Sequence, residues 1–185
     1  MLVLILFGDD LVYAIKQLST MELKASLSLI VVPYIELNMA VKAGPEATQG
    51  IIASAPWYWR LSEYFKPSKI FVDAFQEKYQ RMPSNCAESA YIDVMEYASA
   101  VERAGSFRAA DVIRVLEGHE FIGLKDPEQW RVWDHQSIQT VYVLRGKAPE
   151  KMENAYDFFE IIYRVEGSAI ARTQEENPIM LEPLE

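Results

Sequence analysis

The residue types best suited to hold a small ligand sit in two short loops. Gly8, Asp9 and Asp10 follow an apolar run over residues 2–7, and Pro33, Tyr34, Ile35 and Glu36 follow a second run over residues 27–32. A glycine lets backbone N–H groups approach a ligand closely, and an aspartate beside it can take up an ammonium or amide N–H. A glutamate such as Glu36 suits the α-ammonium group of an amino acid, while the Tyr34 ring can pack on its side chain. Each carboxylate also has a plainer reading. One of Asp9 and Asp10 caps the following helix while the other is solvated, and Glu36 is a surface group that begins a short helix. Trp57, in the aromatic run Trp57-Tyr58-Trp59, suits an amphipathic ligand or an interface, with packing against the core as the preferred reading.

Reactive chemistry is sparsely encoded. Cys86 lies near an expected helix N-terminus, a position that can lower a thiol pKa, yet neither His119 nor His135 is tied to it by spacing. A buried helical cysteine is the expectation there. The two histidines lack the spacing of a zinc site, and no phosphate-binding glycine loop or nucleophile elbow occurs. No catalytic residue, no metal ligands and no cofactor are expected. Glu88, Asp93, Glu96 and Glu102 read as the solvated face of a helix, and His135 as a turn residue bonded to local backbone.

The elements that must position these residues follow from periodicity. Residues 2–7 form a continuous apolar run, as in a parallel strand covered on both faces, and Asp9 or Asp10 is placed as N-cap of the next helix. Leu11, Ala14, Ile15 and Leu18 keep helical spacing, and residues 27–32 give a second strand ended by Pro33. The first third is therefore a β-α-β unit with right-handed parallel pairing. A third strand is expected over residues 50–55, then a helix over 68–81 burying Phe71, Ala74 and Phe75. A longer helix over 85–104 sets Tyr91, Val94, Met95, Ala98 and Val101 on its inner face, and Gly105 closes it. Ser106 caps another helix, whose inner face is Ala109, Val112, Ile113 and Leu116 and which Gly118 closes. Beyond Phe121 the pattern turns to strands over 130–133, 140–144 and 158–163, the first two antiparallel across a turn at Asp134-His135-Gln136. The acidic, proline-bearing segment 172–185 reads as a disordered tail.

Composition narrows the class of partner. The chain has 185 residues, half of them apolar, which suffices for a normal core. Its 27 acidic and 18 basic side chains leave a net charge of -9, a poor match for nucleic acid or an anionic membrane surface. A lone cysteine excludes an internal disulfide. Residues 1–7 lack a basic segment and a cleavage site, so they read as a strand rather than an export leader.

An ordered set of segments carries a family resemblance. Gly50-Ile51-Ile52-Ala53-Ser54-Ala55-Pro56-Trp57-Tyr58-Trp59 is followed by Phe71-Val72-Asp73-Ala74-Phe75-Gln76-Glu77-Lys78-Tyr79. Then come Ser89-Ala90-Tyr91, Ala100-Val101-Glu102-Arg103-Ala104-Gly105-Ser106 and Trp133-Asp134-His135-Gln136. With Leu2 through Gln17 upstream, the chain resembles the C-terminal half of the extracytoplasmic solute-binding receptors of ABC importers for branched-chain amino acids and short amides. The resemblance implies an α/β chain with a partial type I periplasmic-binding-protein fold: a parallel β-α-β unit, crossover helices and a short antiparallel strand section. It places residues 1–49 in a distal lobe, 50–125 as the crossover strand and helices of a proximal lobe, and 126–171 as return strands.

It also implies a non-enzymatic solute-binding component or fragment, with the loops at Gly8 and Glu36 contributing ligand contacts. The partners implied are a small amino acid or amide, bound weakly or not at all by this part alone, and an ABC permease. An incomplete parallel sheet leaves an edge and an apolar face open, so a homo-oligomer is expected. An alternative function is that of an oligomeric interaction scaffold with no small ligand. The resemblance implies a periplasmic location, and the lack of a leader implies a cytoplasmic one for a natural short product.

Overall fold

The computed structural model describes residues 1–184. Strand β1 (Leu2–Val3) leads into helix α1 (Gly8–Thr20), and β2 (Ile30–Val32) returns parallel to β1 with Leu2 opposite Ile30. Helices α2 (Leu37–Ala43) and α3 (Pro45–Thr48) precede β3 (Ile52–Ala55), which is parallel to β2. The β-α-β unit expected from the apolar runs is therefore present, and β3 extends the same sheet.

Two late strands complete that sheet. Strand β7 (Val141–Gly146) pairs antiparallel with β3, and β8 (Phe159–Val165) pairs antiparallel with β7, giving the order β1-β2-β3-β7-β8. Gly146 is where β7 meets α3: a Cβ there would stand 1.9 Å from the Thr48 carbonyl oxygen, so only glycine fits. Leu11, Ile15, Val32, Ile35, Leu144 and Phe159 are buried together in the core around this sheet.

Between β3 and β7 the chain leaves the sheet. Helix α4 (Lys66–Tyr79), α5 (Asn85–Ala104) and α6 (Ala109–Leu116) are followed by a small sheet of β4 (Glu120–Phe121), β5 (Glu128–Trp130) and β6 (Ser137–Ile138). The strand expected over 130–133 thus pairs with β6 rather than with 140–144, because β7 is claimed by β3. A single turn, α7 (Gly167–Ile170), ends the regular structure among the described residues. No helix described is long and apolar enough to cross a membrane.

Several local expectations are corrected. Of residues 2–7, only Leu2 and Val3 pair as strand, while Ile5 and Phe7 are 84% and 60% exposed, because β1 is the sheet edge and no further strand covers them. The N-cap of α1 is Phe7, with Asp9 and Asp10 inside the first turn, where their charge still suits the helix dipole. Arg108, not Ser106, is the N-cap of α6, although the Ser106 hydroxyl accepts from the Arg108 N–H. Helix α5 has the expected span, and Ser84 caps it by accepting from Ala87 N–H at 3.2 Å. Its orientation differs: Asn85, Glu88, Ile92 and Ala100 point inward, and Tyr91, Val94 and Met95 are exposed. In α4, Phe71 and Phe75 are half-buried and Ala74 is exposed.

Candidate functional site

Parallel strands deliver their following loops to one end of the sheet, which is where ligands collect in open α/β sheets. The loops after β1 and β2 meet there. The Tyr34 ring stacks on Phe7 with centroids 5.9 Å apart and planes at 29°. Next to Phe7, Gly8 opens α1 in the left-handed region at φ 62, a conformation glycine adopts without strain. The first turn of α1 thus starts at the carboxyl end of the sheet edge, with N–H groups that no cap side chain satisfies.

A third contributor comes from α5, far along the chain. Asn85 Nδ2 donates to the Tyr34 hydroxyl at 3.0 Å and to the Ile35 carbonyl at 3.3 Å. The Cys86 sulfur lies 3.5 Å from the same hydroxyl and is exposed, which corrects the expectation of a buried helical cysteine. Burial and the Cys86 contact push the Tyr34 phenol well above its ordinary pKa, so it stays neutral and can donate or accept. Glu36 occupies the N-cap position of α2, half-exposed, and accepts from Asn38 Nδ2 at 2.8 Å. One Glu36 oxygen is therefore held in place at the rim of this group.

The remaining sequence candidates are placed elsewhere or otherwise engaged. Asp9 accepts from Lys42 Nζ at 2.9 Å in an exposed ion pair, and Asp10 is exposed on α1. Trp57 is 1% exposed, its indole N–H donates to Ser68 Oγ at 2.8 Å and its ring meets Phe71 edge-on. It is a core residue, and the reading of Trp57 as a ligand contact is withdrawn because no solute can reach a ring so enclosed. Tyr58 and Trp59 are buried too, both donating to the Tyr156 carbonyl, so these two tie the end of β3 to the segment before β8 while Trp57 ties it to α4.

Asn85 and Phe7 carry no site signal in the sequence, and Cys86 reads there only as a thiol; the contacts with Tyr34 span about fifty residues for Asn85 and Cys86 and fewer than thirty for Phe7, and leave no local pattern.

The carboxylates expected on the solvent face of α5 divide in two. Glu88 is 3% exposed, and burial pushes its carboxyl up to about 7, against the attraction of Lys125. Lys125 is itself buried, and donates to the Pro56 carbonyl at 2.7 Å and to Gln139 Oε1 at 2.5 Å. Burial lowers its pKa, while Glu128 and Glu88 oppose that shift. His135 sits in the left-handed region in its turn, but its imidazole meets Glu117 Oε1 at 2.9 Å rather than local backbone. Among the described residues no three His, Cys, Asp or Glu side chains gather as a metal site.

A family model described as periplasmic binding protein matches residues 1–151. A periplasmic binding protein from Burkholderia mallei is 23% identical and superposes with a TM-score of 0.81, over 92% of this chain and 44% of its own. An amino acid ABC transporter substrate-binding protein from Pseudomonas fluorescens is 23% identical, with a TM-score of 0.80 over 89% of this chain and 43% of its own. A branched chain amino acid ABC transporter periplasmic ligand-binding protein from Burkholderia xenovorans is 20% identical, with a TM-score of 0.77 over 90% of this chain and 44% of its own. The chain thus spans less than half the length of these structures. No curated protein matches the sequence.

Proposed function

Because the chain belongs to the periplasmic binding protein family, a family of solute receptors rather than enzymes, we propose that it forms part of the solute-recognition component of an ABC importer for amino acids or short amides. The reading rests on one observation: Tyr34, stacked on Phe7 and bonded to Asn85, draws the loop after β1, the loop after β2 and the start of α5 to one point at the carboxyl end of the sheet. The unsatisfied N–H groups at Gly8 suit a carboxylate or carbonyl oxygen. Glu36 suits an ammonium or amide N–H, and the Tyr34 and Phe7 rings suit an apolar side chain. The remaining contacts of a buried ligand would come from outside this sequence, so affinity of the chain alone is expected to be weak. The permease of the importer is the second partner under this reading.

The boundary between lobes is proposed to follow β3, not precede it, since β3 shares its sheet with β1 and β2. Residues 66–138, with α4–α6 and the small sheet, would then make up the chain's share of the other lobe.

The test is a calorimetric and thermal-shift titration with leucine, valine, urea and acetamide. A ligand at about 100 times its Kd adds about 2.7 kcal/mol, which raises the melting temperature by about 5–10 °C in a chain of this size. Glu36→Gln should weaken an amino acid about tenfold or more while changing an uncharged amide less. A flat response to all four compounds refutes the reading. A second reading, an interaction scaffold without a small ligand, draws support from the bare apolar stripe of α5.

A further inference from the structure

One buried lysine stands where the two parts of the chain meet. Lys125, in the loop between β4 and β5, is 1% exposed, and its ammonium has three N–H donors. All three point to the end of the main sheet. They reach the Pro56 carbonyl just past β3 at 2.7 Å, Gln139 Oε1 at 2.5 Å, and the Thr140 carbonyl just before β7 at 3.4 Å. The adjacent Leu124 carbonyl accepts from Ser68 Oγ of α4 at 2.7 Å, so the same loop is anchored in the α4–α6 part. Lys125 thus ties that part to the paired ends of β3 and β7. A charge so enclosed is ordinarily matched by a bonded carboxylate. The nearest one stands off: Glu128 Oε1 lies 4.0 Å from Nζ, beyond hydrogen-bond reach, and has no other partner. A shift of about 1 Å would let the ammonium leave a carbonyl for that oxygen.

We propose that Lys125 is a proton-sensitive tie: it holds the ends of β3 and β7 to the α4–α6 part while Glu88 and Glu128 are protonated, and turns toward these carboxylates when they ionise. Glu88 of α5 and Glu128 of β5 are 3% and 5% exposed. Burial pushes Glu88 up to about 7 and raises Glu128 too, in both cases against the attraction of Lys125. The remaining charged neighbours act in the same direction or are engaged elsewhere. Asp93 raises both carboxyls, and Glu96 and Asp126 raise Glu128. Glu96 itself stands 3.5 Å from His119, while Asp126 accepts from the Tyr142 hydroxyl and from Arg164 Nη1 at 3.2 Å. Below about pH 7 Glu88 keeps its proton, and the carbonyls are the better acceptors for Lys125. Above it, carboxylate charge competes with them.

Releasing the tie frees the α4–α6 part to change its angle to the sheet, so proton uptake and the population of one arrangement are linked. The inference rests on the boundary proposed after β3 and on no bound solute. A chain that responds to none of the four compounds above still tests it.

The test measures the distance between spin labels on the two parts by pulsed electron resonance, without solute, at about pH 5.5 and about pH 8.5. Labels go on Gln17→Cys of α1 and Glu102→Cys of α5, both exposed, with the native thiol removed by Cys86→Ser. The expected result is one distance population at the lower pH and a second, shifted population that grows at the higher. Lys125→Met should show the shifted population at both pH values. Glu88→Gln combined with Glu128→Gln should keep the low-pH distance at both. Loss of stability alone would not produce this pattern, because it carries no dependence on those two carboxyls. An unchanged single population in the parent overturns the proposal, as does a pH response that survives the double glutamine variant. A folded Lys125→Met that matches the parent at both pH values overturns it too. If that variant does not fold, the parent and the double variant still decide.

Discussion

Replacing Glu88 by glutamine isolates the energetics of a charge held under α5. The carboxyl is 3% exposed, accepts from the Ser89 hydroxyl at 3.3 Å, and is pushed from 4.5 up to about 7 by burial. Lys125 lowers that value, while Glu128 and Asp93 raise it. The native state therefore favours the neutral acid. Below pH 4.5 the group is protonated in both folded and unfolded chains and contributes nothing. Between 4.5 and about 7 the unfolded chain releases its proton while the folded chain retains it, so stability falls as pH rises. Above 7 both forms are ionised and the penalty is complete. The shift, in which the Lys125 attraction is already included, corresponds to about 3 kcal/mol at about 1.4 kcal/mol per pKa unit.

Glu88→Gln should accordingly be more stable than the parent at pH 8 by that amount and within about 0.5 kcal/mol of it at pH 4.5. Urea unfolding at both pH values measures the difference, with unchanged slopes showing that the surface exposed is the same. Lys125 keeps its carbonyl and Gln139 acceptors in the variant, so the fold has no cause to rearrange. A variant no more stable at pH 8, or one whose gain is the same at both pH values, refutes the burial argument.

Two further predictions address the sheet. Gly146→Ala drives a methyl group against the Thr48 carbonyl and should destabilise by about 2 kcal/mol or more, read as a lower melting temperature with the secondary structure retained at 20 °C. Asp157 is fully buried and accepts from Arg60 Nη2 at 2.7 Å, Lys147 Nζ at 2.7 Å and Glu153 N–H at 3.0 Å. Burial raises its pKa, and the Arg60 and Lys147 hydrogen bonds outweigh burial and hold it low, so its contribution is present above pH 3.8 and lost as pH falls below it. Asp157→Asn strips both cations of their buried counter-charge and should cost about 3 kcal/mol at pH 7, shrinking toward pH 3 in urea unfolding.

The sequence was legible where a pattern is local. The β-α-β unit shows in two apolar runs and one helical spacing, and Pro83-Ser84 and Gly105 bracket α5 at its true ends. What lay outside its reach was which face each element turns inward. The stripe Tyr91, Val94, Met95, Ala98 and Val101 reads as a core because its spacing demands a partner, and spacing does not say whether that partner is in the chain. Glu88 reads as solvated for the converse reason: four carboxylates on one helix suggest water, until Lys125, brought in by the loop after β4, supplies a counter-charge. At the candidate site, Gly8, Tyr34 and Glu36 announce themselves as loop residues after strands. Asn85 does not, because its role exists only once α5 has returned to meet the loop after β2.

Asn85 also links the two surfaces of the molecule. It stands in the first turn of the helix whose outer face carries the bare stripe, and its side chain holds the hydroxyl of Tyr34 at the carboxyl end of the sheet. Under the proposed function, a solute packed on Tyr34 restricts Asn85 and with it the first turn of α5, so solute binding should slow hydrogen exchange at the start of that helix, and Asn85→Ala should abolish the effect.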